Sequence, residues 1–168
     1  TSKVFEGGTS AKANSSDDNQ ILTINQSGKS YDVTIPGGAT LQQVRDSINT
    51  QLSAQGISAN VLSDSKGSRL VIGSSNSGEG TAITLSGNSE LATGYDPGQV
   101  PKNANYSIDG VAMESTTNKI SSAISGVSLE LLTEDPTKPV TTTITVGSST
   151  DTLKTSVQSF VTAYNALM

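Results

Sequence analysis

Two carboxylate pairs and one glycine loop are the places in this chain of 168 residues where side-chain type and spacing could do chemistry. Asp17-Asp18 and Glu134-Asp135 could act as an acid–base pair or hold a divalent cation. Each pair lies in a Ser- or Pro-rich turn without further oxygen ligands at calcium-loop spacing, so both read as solvated acids. Gly73-Ser74-Ser75-Asn76-Ser77-Gly78 has the glycine spacing of a phosphate loop and follows a strand pattern. Glu79 and Gly80 stand where such a loop needs Lys and then Ser or Thr, and the acid would repel phosphate. A mobile loop is the expectation there. No Gly-x-Ser-x-Gly elbow occurs, and no His is present to activate a serine. A Ser–Lys pair is the nucleophile chemistry left open, and nothing marks one. Asn14, Asn25 and Asn105 each begin an Asn-x-Ser glycosylation pattern, which comes cheaply in so Ser-rich a chain.

The composition narrows the choice further. His, Cys and Trp are absent. Without Cys there is no disulfide, thiolate nucleophile or thiolate metal site. Without His the commonest general base and transition-metal ligand are gone. The expectation is therefore no enzyme, with no catalytic, cofactor-binding or metal-binding residues. Lys and Arg number 10 against 15 Asp and Glu, and the pI is about 4.5. Nucleic acid is not an expected partner of so acidic a chain. A membrane is not expected either, because no apolar run approaches the roughly 20 residues that span a bilayer. Leu, Ile, Val and Phe together number 37, enough for a thin core. Ser and Thr number 27 and 21, which favours short strands and many turns. The chain starts at Thr1 and stops at Met168 inside a helical pattern, so a segment of a longer protein is expected.

The elements that would carry these residues can be placed by period. Residues 1–20 have the composition of a loop, with at most a short strand at Lys3 to Phe5. ILTIN (21–25) and SYDVTI (30–35) alternate and flank Gln26-Ser27-Gly28-Lys29, which reads as a hairpin turn. After Pro36-Gly37-Gly38, Thr40 and Gln43 have capping-box spacing, and Leu41, Val44, Ile48 and Leu52 form one apolar stripe. A helix is expected at about 40–54, closed by Gly56. Strands follow at 57–63, 69–73 and 82–86, giving a helix on one face of an antiparallel sheet. Residues 87–103, rich in Gly and Pro, read as a linker, with one helical turn near Ser89 to Ala92.

A second unit begins near Lys102. Asp109-Gly110 between YSI and VAM is a strong hairpin signal. Ile120, Ala123 and Ile124 suggest a short helical turn ended by Gly126. Val127, Leu129 and Leu131 alternate as a strand, and a turn over 134–139 leads to a Thr-rich strand over 140–147. The element order echoes the first unit. Finally Leu153, Val157, Phe160, Tyr164 and Leu167 step by four, three, four and three, a heptad seam that Thr150 would cap. An ordinary amphipathic helix on a globular core fits the same spacing.

The fold expectation is therefore α+β, mostly β. It comprises two small antiparallel domains, each with a short helix, followed by the start of a coiled-coil-like stalk helix.

Residues 21–86 resemble the repeat of flagellins and hook-associated proteins: ILTINQSGKSYDVTIPGGATLQQVRDSIN, then SRLVIGSSNSGEGTAITLSG. Residues 103–168 resemble the C-terminal region of the flagellar filament-capping family, through NANYSIDGVAMESTTNKISSAISGVSLELL and TTTITVGSSTDTLKTSVQSFVTAYNALM. The phrase F-V-x-x-Y-N-x-L is the most specific part. Residues 1–20 carry no such likeness.

The resemblance implies a homo-oligomeric cap at the distal end of a bacterial flagellum, outside the cell. Such a cap retains exported flagellin, promotes its insertion, and contacts flagellin and the filament or hook-junction end. It implies an outer head domain at 1–101, a lower head domain at 102–147, and a stalk start at 148–168. An upstream strand would complete the lower domain. The seam Leu153, Val157, Phe160, Tyr164 and Leu167 would be the partner-binding face. A chain without Cys suits export in the unfolded state. The alternatives are an adhesion module binding host glycan or mucin through its head, a flagellin or hook-junction subunit with the same repeat, and a hydrolase using carboxylate pairs.

Overall fold

The structure, a computed structural model, describes residues 1–132, 141–145 and 151–167. It divides into two compact units, Thr1–Leu131 and Leu132–Met168.

The first unit opens with an irregular segment and continues as β1 (Gln20–Gln26), β2 (Lys29–Ile35), α1 (Leu41–Leu52), β3 (Ile57–Asp64), β4 (Gly67–Ser74) and β5 (Thr84–Gly87). Four more strands follow: β6 (Ala104–Ile108), β7 (Val111–Ser115), β8 (Lys119–Ile124) and β9 (Val127–Glu130). The β1–β2 register pairs Gln26 with Lys29, leaving Ser27 and Gly28 as a two-residue loop. Both take positive φ, 51° and 74°, which is the type I′ turn whose twist matches an antiparallel pair. The alternation places Leu22 and Ile24 inward opposite Val33 and Tyr31, and Ile35 completes the row. Thr40 caps α1 as its spacing predicts: its hydroxyl accepts from Gln43 N at 3.3 Å, and its N–H donates to Gln43 Oε1 at 2.9 Å. The stripe Leu41, Val44, Ile48 and Leu52 is wholly buried. It joins Leu22, Ile24, Val33, Ile57, Leu70 and Leu91 in one core.

The single sheet expected under α1 is in fact two. One has the order β2-β1-β5, and the other is the pair β3-β4. The reason lies at the edges of the pair. Asn49 on α1 occupies the free side of β3, with Nδ2 donating to Ala59 O at 3.0 Å and Oδ1 accepting from Ala59 N at 2.7 Å. The amino-terminal segment occupies the free side of β4: Phe5 bridges Ser68, and Ser2 N donates to Leu70 O at 2.8 Å. With both edges covered, β5 pairs with β1, from Leu22 opposite Gly87 to Asn25 opposite Thr84.

Residues 1–20 therefore have the irregular backbone expected of a loop but are packed, with Phe5, Ala11, Ala13 and Asn14 buried. The linker expectation for 87–103 also changes. Leu91 is fully buried, Ser89 nearly so, and Tyr95 packs against the core. One apolar anchor outweighs the Gly- and Pro-rich surroundings that suggested a tether. The turn over 89–92 closes with Ala92 N donating to Ser89 O at 3.0 Å.

Asp109-Gly110 forms the expected hairpin turn, with φ of 50° and 81°. The helical turn expected at 120–124 is instead β8, paired with β9. Ile120 faces Leu129 and Ile124 faces Val127, so two extra residues bulge from β8 and break its two-residue alternation. That irregularity gave the apolar residues a helix-like spacing. The Thr-rich strand expected over 140–147 is absent at 141–145, where no partner strand pairs among the described residues. The turn over 134–139 and the cap residue Thr150 lie outside the described residues. Among the described residues of the second unit the regular element is α2, Asp151–Leu167.

Candidate interaction surface

Of the residues whose types suggested chemistry, those in the loop after β4 bond within the chain and the acid pair at 17–18 is exposed. Asp18 lends its backbone carbonyl to Asn14 Nδ2 at 2.8 Å. The side chains of Asp17 and Asp18 are exposed. Glu134-Asp135 lies outside the described residues. The loop after β4 turns its polar groups onto its own chain. Ser74 Oγ donates to Gln26 Oε1 at 3.1 Å, and Ser77 Oγ donates to Thr116 O at 2.8 Å. It leads into a strand rather than a helix, so no helix N-terminus stands behind it to bind an anion. Among the described residues no three His, Cys, Asp or Glu side chains converge.

Of the Asn-x-Ser positions, Asn14 is fully buried, its Nδ2 also donating to Ile35 O and Pro36 O. Asn25 bonds Ser86 and Ser30 across the sheet. Glu90 holds a small ionic knot. Its carboxylate accepts from Ser15 N at 3.1 Å and from the Ser15 hydroxyl, and it pairs with Lys3 Nζ at 3.3 Å. The Ser15 bonds, with a smaller contribution from Lys3, hold its carboxyl below the usual carboxylate range. Burial pushes the Tyr95 phenol up, and Asp96 adds to the shift.

Against these satisfied groups α2 stands apart. At 100° per residue, Leu153, Val157, Phe160, Tyr164 and Leu167 fall on a stripe about 80° wide. All five are between 53% and 89% exposed. The seam predicted from spacing is thus continuous along α2, with none of its members in the core. Val161, also exposed, flanks the stripe and was not singled out from sequence. Its adjacency to Phe160 was the available signal, because a face wider than two positions per heptad is usual where helices pack.

The fold is mixed α+β and mostly β, with a hairpin–helix–hairpin unit and a helix that bears an exposed apolar stripe, and its likenesses are to flagellar proteins. Residues 22–76 match the family model described as flagellin hook IN motif, and residues 101–168 match that of the flagellar hook-associated protein 2 C-terminus. Over most of its length the chain is similar to flagellar hook-associated protein 2. It is 36% identical to the A-type flagellar hook-associated protein 2 of Pseudomonas aeruginosa, over 88% of this chain and 36% of that protein. It is 28% identical to the flagellar hook-associated protein 2 of Aeromonas caviae, over 87% of this chain and 34% of that protein. The chain thus spans about a third of the length of the curated relatives it matches. Among solved structures, the D1-D2-D3 domains of the flagellar cap protein FliD from Escherichia coli superpose with a TM-score of 0.70 at 27% identity. That match covers 99% of this chain and 59% of the other. FliD (HAP2) from Pseudomonas aeruginosa PAO1 gives 0.68 at 25% identity, covering 98% and 81%.

Proposed function

We propose that this chain is the head region and stalk start of a structural cap at the distal end of a bacterial flagellar filament. Its whole protein assembles with its own copies, retains exported flagellin at the filament end and promotes its insertion. Residues 1–101 are the outer head, 102–147 the lower head, and 148–168 the start of a coiled-coil stalk. No bond is made or broken; the work is done by shape and docking. The observation that carries the reading is the exposed seam of α2 in a chain whose relatives are flagellar hook-associated proteins and whose structural neighbours are cap proteins. An apolar helix face left in water is unfavourable, and packing against an identical helix removes it. Lack of Cys fits passage through a narrow channel unfolded, and a chain acting outside the cell at a filament tip gains solubility from its acidic, Ser- and Thr-rich surface. The adhesion reading draws no support from these relatives.

The test is the double substitution Phe160→Ala with Tyr164→Ala in the full-length protein. Aromatic anchors at an interface centre are each worth about 2 kcal/mol or more, so self-association should weaken at least roughly tenfold. Light scattering then reports a smaller oligomer, and filaments grow shorter in cells carrying the variant. An unchanged oligomer and unchanged filament growth would discard the proposal.

A further inference from the structure

Residues 97–102 connect the head to the β6–β9 hairpins without regular structure, and Val100 among them is exposed. No residue of β6–β9 belongs to the head's buried core, and Ile120 of β8, though buried, lies outside it. Polar contacts from the loop between β4 and β5 bridge the two. Ser77 Oγ donates to Thr116 O at 2.8 Å. Glu79 N donates to Asn103 Oδ1 at 2.7 Å, and Asn103 Nδ2 donates to the Glu114 carboxylate, tying the loop to β7. Gly78 sits between these bonds with φ of 94°. A Cβ there would stand 2.7 Å from Asn103 Oδ1 and 2.8 Å from Thr116 Cβ. The root of the same loop is fixed in the head. Gln26, almost fully buried, donates to Thr81 O at 2.8 Å and accepts from Ser74 Oγ at 3.1 Å and Asn76 Nδ2 at 3.2 Å.

We propose that residues 74–81 form a polar clasp that sets the orientation of the head on the β6–β9 hairpins, with residues 97–102 as the hinge it locks. The loop is a short lever: its root is held by a buried amide, and its tip rests on Asn103 and Thr116. The tip bonds are exposed and exchange readily with water, so the clasp closes by a narrow margin and can reopen. Gly78 is the one residue type that allows both the left-handed backbone and the close approach. The inference does not depend on the cap reading, since it concerns contacts within Thr1–Leu131 alone.

The chain has no Cys, so Lys66→Cys and Val111→Cys place a unique pair of spin labels, one on the β3–β4 turn and one at the start of β7. Pulsed dipolar spectroscopy on the full chain should give a single narrow distance peak. Adding Asn103→Ala should lose that peak to a broad distribution, and Gly78→Val should do the same. Gly80→Val is the control: the same loop and a φ of 80°, but nothing within 4 Å of the added Cβ. It should keep the narrow peak. A broad distribution in the labelled parent, or a narrow one retained in Asn103→Ala, overturns the clasp. Equal loss in Gly78→Val and Gly80→Val also overturns it, by assigning the effect to backbone strain.

Discussion

α1 and α2 carry apolar stripes of the same kind and meet opposite fates. Leu41, Val44, Ile48 and Leu52 are sealed against two sheets, whereas Leu153, Val157, Phe160, Tyr164 and Leu167 face solvent. Period alone does not separate them, because three- and four-residue steps define both. What separates them is the flanking sequence. α1 sits between two hairpins whose alternating strands supply an inward face of matching width. The Thr-rich segment before α2 offers no paired strand at 141–145. An amphipathic helix thus announces that it will be covered, while its neighbours decide whether its own chain does the covering.

The sharpest test of this contrast substitutes one residue in each stripe. Ile48→Ala removes a fully buried side chain and should destabilise the head by about 2–5 kcal/mol, the usual cost of lost burial plus a cavity. Leu153→Ala, 66% exposed, should leave the unfolding free energy of the monomeric chain within about 0.5 kcal/mol of the parent. Denaturant unfolding at a concentration where the chain is monomeric reads both. Equal losses would mean that α2 is covered within its own chain, and the contrast would collapse.

A smaller effect is expected where the head relies on polar groups that periodicity does not reveal. Asn49→Ala on α1 leaves the Ala59 backbone groups without their partner, which should cost about 1–3 kcal/mol in the same unfolding measurement. An exposed partner such as Asn103 should show far less. If Asn49→Ala is silent, the account of why β3 takes no further strand is wrong.

What was legible in the sequence follows the same division. Thr40, Gln43, the α1 stripe, Ser27-Gly28 and Asp109-Gly110 were readable because capping and left-handed turns depend on local residue type. The division into two sheets was not readable, because it depends on Asn49 and Phe5 reaching strand edges distant in sequence. Leu91 was hidden by its Gly- and Pro-rich neighbours, and β8 by a bulge that mimics helical spacing. The apolar stripe of α2 was legible from spacing, and its exposure is what the structure adds; its meaning rests on a partner that spacing cannot name.

The smallest expected effect concerns the knot that ties the amino-terminal segment to the turn at 89–92. Glu90 accepts from Ser15 and pairs with Lys3, and these contacts hold its carboxyl below the value it takes in the unfolded chain. A depressed folded-state pKa means that the unfolded chain binds the proton more readily, so acid favours unfolding. The contribution is complete above the unfolded carboxylate range and is lost as pH falls through the lower folded value. Because Lys3 and Glu90 are both partly exposed, solvent screening limits the ion pair to about 0.2–1 kcal/mol. Glu90→Gln should therefore flatten the acid limb of the head's stability curve slightly and change nothing near neutral pH beyond a small uniform loss. An acid limb of unchanged slope would place the pH sensitivity of the head elsewhere, with Asp64 next, whose carboxyl is lowered by the Lys66 backbone N–H and by Arg69.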